Sequence, residues 1–282
     1  MDNVSPIQIV SDALALAEKK ASLPARDLLV RGVLAGGVLA YATSMVFVAL
    51  AQGVLPIVGA IIFPIGFVIL VLLGLELATG NFALLPAAVL AKRISASDML
   101  RNWSWVYLGN LLGSVAYAVL FIWTLTSFGA NNGGPAGELI RAAAMKKTTA
   151  YAALGAAGWA TAFVKAILCN WMVTVGAILA LASKSTIGKI TGMWLPIMMF
   201  FAMGYEHSIV NMFVMPAGMM AGAPVSAMDW IVWNQIPVTL GNILGGALLT
   251  GAALWYTYGV KSSAPVAAVV ESAVAGDPVA VR

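Results

Sequence analysis

At 282 residues, 61% hydrophobic and 9% charged, with mean hydropathy +0.95, the chain reads as a polytopic all-α membrane protein and not as a soluble domain. The net charge of +4 does not point to nucleic acid, because the basic residues sit at span ends. One cysteine and one histidine leave no disulfide framework, no metal site and no bis-histidine haem, so neither metal nor cofactor is expected.

In chain order, residues 1–27 carry Asp2, Asp12, Glu18, Lys19, Lys20, Arg26 and Asp27 and read without a cleavable signal peptide. Within them, residues 5–21 predict a short amphipathic helix capped by Ser5-Pro6 along the cytoplasmic face. A transmembrane domain then covers 28–260. Its apolar segments lie near 28–51, 57–91, 102–127, 160–183, 190–222 and 235–259, about six spans. Residues 261–282, rich in Ala, Val and Pro, predict a disordered cytoplasmic tail. Lys19, Lys20, Arg26, Arg31, Lys92, Arg93, Arg101, Lys184, Lys189 and Lys261 fall on one side of these spans. The alternate loops hold Arg141, Lys146 and Lys147. The positive-inside rule places both termini in the cytoplasm, in a multi-pass protein of a bacterial inner membrane.

One motif occurs twice. Gly74-Leu75-Glu76 is followed by Asn81 and Pro86, and Gly204-Tyr205-Glu206-His207 by Asn211 and Pro216. A carboxylate, an amide and helix breakers inside apolar spans are expensive, so a duplicated set marks a built site. His207 is the chain's single histidine. The flanks repeat too. Leu108-Gly109-Asn110-Leu111-Leu112-Gly113 matches Leu240-Gly241-Asn242-Ile243-Leu244-Gly245, and Val30-Arg31-Gly32 matches Val164-Lys165-Ala166, all about 130 residues apart. Three spans in register with three others, about 28–127 against 160–259, predict two inverted repeats with spans two and five broken. The breaks are expected around Thr79-Gly80-Asn81 and Ser208–Asn211, with half-helix N-termini that favour an anion.

Leu77-Ala78-Thr79-Gly80-Asn81, Leu168-Cys169-Asn170-Trp171, Gly204-Tyr205-Glu206-His207-Ser208 and Pro237-Val238-Thr239-Leu240-Gly241-Asn242 together resemble the formate/nitrite transporter family, in its nitrite-associated branch, over residues 5–260. The resemblance implies a homopentamer of six-helix protomers in an aquaporin-like arrangement, with one pore per protomer for small monovalent weak-acid anions. It makes His207 the central pore histidine, with Thr79 and Asn170 beside it. Leu77 and Phe200 match constriction positions, with Phe63 and Phe67 as further ones. Ala78 stands where several members carry a bulky aromatic, which suggests a wider constriction.

Glu76, Glu206, Asn81 and Asn211 are read as scaffold, the carboxylates accepting the N–H groups of the unwound backbone. Lys165 either snorkels to headgroups or draws anions into a vestibule. The tryptophans Trp103, Trp105, Trp194, Trp230, Trp233 and Trp255 read as interfacial anchors. The expected function is a non-enzymatic channel or transporter for nitrite and/or formate, past a histidine that relays a proton. Bicarbonate or hydrosulfide is the alternative cargo. An aquaporin-like neutral-solute facilitator is a further alternative, although the chain lacks Asn-Pro-Ala pairs; an intramembrane enzyme would need a larger catalytic cluster than one Glu and one His.

Overall fold

The computed structural model describes residues 3–259; the expected tail at 261–282 lies outside the described residues. The first helix, α1 (Pro6–Ser22), starts where Ser5 Oγ accepts the Gln8 N–H at 3.4 Å and Pro6 takes the first turn. It buries Val10, Ala13, Leu14, Ala17 and Ala21 on one face. The first span is α2 (Ala25–Ala51). The second is in pieces: α3 (Pro56–Ile62), α4 (Ile65–Leu72), an irregular stretch at 73–77, and α5 (Ala78–Leu90). Next come α6 (Ala96–Leu125), α7 (Gly134–Lys147), the short α8 (Thr149–Ala153) and α9 (Ala156–Leu181). The fifth span is α10 (Thr186–Ala202), an irregular stretch at 203–207, and α11 (Ser208–Met220). The last, α12 (Ala227–Gly259), includes π-helical turns.

Among the described residues, four helices, α2, α6, α9 and α12, are long and apolar enough to cross a bilayer. The halves α5 and α11 have 13 residues each, about 20 Å, and need their partners across the breaks to do so. The chain is thus an all-α integral membrane protein of six spans, two of them broken. Matching boundaries carry the repeat: α6 opens on a capping box of Ser95 and Asp98, and α12 on one of Ser226 and Asp229. Both breaks start at a glycine of positive φ, Gly74 at 63° and Gly204 at 65°. Both end in an extended residue, Leu77 at φ −117°, ψ 120° and His207 at φ −117°, ψ 118°.

Two sequence expectations shift. The breaks fall at 73–77 and 203–207, so Thr79–Asn81 and Ser208–Asn211 already lie in the first turns of α5 and α11. The glycines that end the preceding helices decide the place, not the residues with polar side chains. The segment 128–159, read only as a loop, contains α7. It begins after Gly133, carries Pro135 in its first turn and ends on Lys146 and Lys147, a sequence signal for a helix masked by its low hydropathy. It buries Ala136, Gly137, Ile140 and Ala144. Each half therefore consists of a surface helix, an unbroken span, a broken span and an unbroken span.

Within each half the two unbroken spans pack backbone to backbone. A Cβ at Gly109 would lie 2.6 Å from the Leu29 carbonyl oxygen, and one at Gly241 would lie 2.7 Å from Ala166 Cβ.

Candidate functional site

Each break is held by a closed ring of hydrogen bonds. In the first half, Lys20 Nζ donates to Glu76 at 2.8 Å and Asn81 Nδ2 to Glu76 at 2.9 Å. Asn81 Nδ2 also donates to Asn102 Oδ1 at 2.8 Å, and Asn102 Nδ2 returns to the Lys20 carbonyl at 3.0 Å. In the second half, Lys147 Nζ donates to Glu206 at 2.6 Å and Asn211 Nδ2 to Glu206 at 2.8 Å. Asn211 Nδ2 also reaches Asn234 Oδ1 at 2.9 Å, and Asn234 Nδ2 returns to the Lys147 carbonyl at 3.0 Å. Glu76 and Glu206 are each 2% exposed, so the lysine is what makes a buried carboxylate tolerable.

The carboxylates do not take the unwound N–H groups, contrary to the sequence reading. Asparagines of the following span do. Asn110 Oδ1 accepts the Ala78 N–H at 2.9 Å, while its Nδ2 donates to the Gly32 and Glu76 carbonyls at 2.9 Å each. Asn242 Oδ1 accepts the Ser208 N–H at 2.8 Å, and its Nδ2 donates to the Ala166 and Glu206 carbonyls at 2.8 and 3.0 Å. An amide offers a donor and an acceptor together, which a break with both orphan N–H and orphan C=O requires and a carboxylate cannot supply.

The two halves meet at His207. Its Nδ1 accepts the Val210 N–H at 3.2 Å, which leaves the ring proton of the neutral imidazole on Nε2, 3.1 Å from Thr79 Oγ1. Asn170 on α9 donates from Nδ2 to the Thr79 carbonyl at 3.0 Å and to the Asn242 carbonyl at 2.7 Å. Phe200 stacks on the imidazole, with centroids 5.8 Å apart and planes at 19°. Phe67 meets it edge-on at 5.7 Å and 89°. Phe63 packs on Phe200 at 5.9 Å and stacks on Phe201 at 3.9 Å. Leu77, Ala78, Thr79, Asn170, Phe63, Phe67, Phe200 and His207 are each at most 5% exposed, so the centre is closed in this conformation. Ala78 is wholly buried and leaves no opening here.

On the α1 side of this centre lies a vestibule of about 320 Å³, lined among others by Lys19, Lys20, Arg31, Lys189, Glu76, Leu77 and Phe67. Lys165, expected to snorkel or to line the outer vestibule, lies at the other, α7 end. Its Nζ lies 3.5 Å from the Tyr151 hydroxyl and 5.8 Å from that ring's centroid, and Tyr151 in turn donates to Glu206 at 2.9 Å. The α7 end thus carries a tyrosine and a second lysine. Trp103 and Trp230 are more than interfacial anchors: Trp103 Nε1 donates to the Asn81 carbonyl at 3.2 Å and Trp230 Nε1 to Gln235 at 3.0 Å.

Sequence reading missed Lys20, Lys147, Asn102, Asn234 and Tyr151 as site residues. For the asparagines a signal was present, since Asn102 and Asn234 keep the spacing of the repeat.

The sequence profile of the formate/nitrite transporter family matches residues 7–256. A probable formate transporter of Methanothermobacter thermautotrophicus is 37% identical over 271 residues, covering 90% of this chain and 97% of that protein. The formate channel FocA of Haemophilus influenzae is 35% identical over 217 residues, covering 71% of this chain and 73% of its own. Among solved structures, an FNT family ion channel superposes with a TM-score of 0.73 at 28% identity, covering 89% of this chain and 98% of that one. A pentameric formate channel with formate bound gives 0.67 at 27% identity, covering 83% and 97%. Two inverted halves, matched rings at their breaks and one histidine where they meet thus coincide with a match over nearly the whole sequence: the chain belongs to the formate/nitrite transporter family of membrane channels, and is not an enzyme.

Proposed function

We propose that the protein conducts formate and nitrite, the small weak-acid anions, in neutral acid form past His207, Thr79 and Asn170, as a homopentamer with one pathway per protomer. The observation that carries this reading is the buried Thr79–His207 hydrogen bond in a centre closed by Leu77, Phe67, Phe200 and Phe63. Following the distribution of Lys and Arg, both termini and the vestibule face the cytoplasm, and residues 1–27 and 261–282 flank a channel domain at 28–260. The pentameric relative and the formate named for several relatives support the assembly and the cargo.

The energetics favour a neutral cargo. Stripping water from a small anion costs several kcal/mol even after relaxation. Protonating an acid of pKa about 4 at pH 7 spans about 3 units, or about 4 kcal/mol. Lys19, Lys20, Arg31 and Lys189 concentrate the anion in the vestibule. As it moves toward Leu77 and loses water, its proton affinity rises. The anion takes the Thr79 hydroxyl proton, Thr79 takes the one on His207 Nε2, and His207 Nδ1, released from the Val210 N–H, takes one from bulk water, so that the imidazole stays neutral with its tautomer exchanged. Phe67 and Phe200 exclude water while this happens.

The test is formate and nitrite flux into proteoliposomes from pH 5 to 8. The wild type gains about tenfold in flux for each unit the pH falls while the neutral form limits passage. The His207→Phe variant loses most of this flux at pH 8, where protonation by bulk water is slowest, and least at pH 5. Flux and pH dependence unchanged in the variant would overturn the relay.

A further inference from the structure

Among the described residues, three buried side-chain atoms have no hydrogen-bond partner: Asn170 Oδ1, Ser208 Oγ and Asn211 Oδ1. Asn170 Oδ1 is buried and has no partner, because both bonds of that amide are made by Nδ2. The Thr79 oxygen accepts the proton of His207 Nε2, so its own hydrogen is left to donate. The two residues are tied together by the bond from Asn170 Nδ2 to the Thr79 carbonyl. Asn170 continues, one turn deeper, the face of α9 on which Val173, Ala177 and Ala180 line the vestibule. Asn170 and Thr79 are both fully buried, and an unmatched acceptor at such a depth is costly.

Resting on the neutral-passage reading, we infer that the centre is a donor–acceptor pair matched to a small planar neutral molecule. The pair is the Thr79 hydroxyl hydrogen and the Asn170 Oδ1 lone pairs. Such a molecule offers one carbonyl-type acceptor and one N–H or O–H donor on the same atom. Formic and nitrous acids have that pattern. A formate or nitrite anion has acceptors only and turns lone pairs toward Asn170 Oδ1. The consequence is a second class of cargo: formamide, which has the size and hydrogen-bond pattern of formic acid and no charge between pH 5 and 8.

The experiment is stopped-flow light scattering of proteoliposomes under a formamide gradient, with formate flux measured on the same vesicles. The expected result is formamide permeability at least about fivefold above protein-free vesicles, constant from pH 5 to 8 and lowered by added formate. Replacing Asn170 by Leu lowers both formamide and acid-driven formate flux about tenfold, the scale of one lost buried partner, with the oligomer intact by size-exclusion chromatography. The wild-type formamide measurement does not depend on that variant folding. Formamide permeability at the protein-free level with formate flux intact overturns the inference and leaves the channel reading standing. Loss of formate flux in the wild type overturns the channel reading itself. An Asn170→Leu protein that passes more formate also sinks the inference, because removing a carbonyl oxygen helps an anion and harms a neutral acid.

Discussion

At the scale of residues, the buried carboxylates set the terms. Glu206 is held by Lys147, Asn211 and Tyr151, and Lys147 carries a ring back through Asn234. Removing one partner leaves a charge without compensation, at a cost of about 3–5 kcal/mol. The Lys147→Met variant should therefore fall well below wild type in thermal unfolding in detergent. The double variant Lys147→Met/Glu206→Gln should recover most of the loss. Equal melting of the single and double variants would show that the pair is not what holds the break. Sequence exposed half of this chemistry. Glu76, Asn81, Glu206 and Asn211 could be read because polar groups in apolar spans are costly and occur in duplicate. Lys20 and Lys147 could not, because a lysine between spans reads as a topology charge wherever its side chain turns. Asn102 and Asn234, in otherwise ordinary spans, were marked only by the spacing of the repeat.

At the scale of elements, the glycines of α6 and α12 decide how close the halves of each repeat come. At Gly109 a side chain would strike the α2 backbone, which has no rotamer with which to yield. A Gly109→Leu protein is expected to lose its folded oligomer, seen as aggregation or a smaller species in size-exclusion chromatography. Gly109→Ala should keep the oligomer with a lowered melting temperature. A Gly109→Leu protein that elutes and melts as wild type would remove close packing as the reason for that glycine. The paired motifs around Asn110 and Asn242 made the inverted repeat legible from sequence alone. The start of each break was less so, since Gly74 and Gly204 act through backbone φ and the polar residues after them drew attention a few positions too late. Helix α7 was illegible by hydropathy because it buries one large apolar residue, Ile140, beside Ala136, Gly137 and Ala144.

At the scale of the whole molecule, a ring of like subunits needs two different faces on each protomer, with closure at a fixed number. Native mass spectrometry in detergent should find a species of five times 29.3 kDa. A monomer or trimer that still conducts formate would remove the pentamer from the proposal. The two halves also have a consequence for direction. In both halves the chain runs through a lysine-fastened ring, a break, an extended residue and a short helix, in the same order. The extended residue differs, Leu77 in one half and His207 in the other. A solute therefore passes a titratable ring once, whichever way it travels. For the proposed channel the expectation is passage in either direction, with import or export set by the gradients of solute and proton.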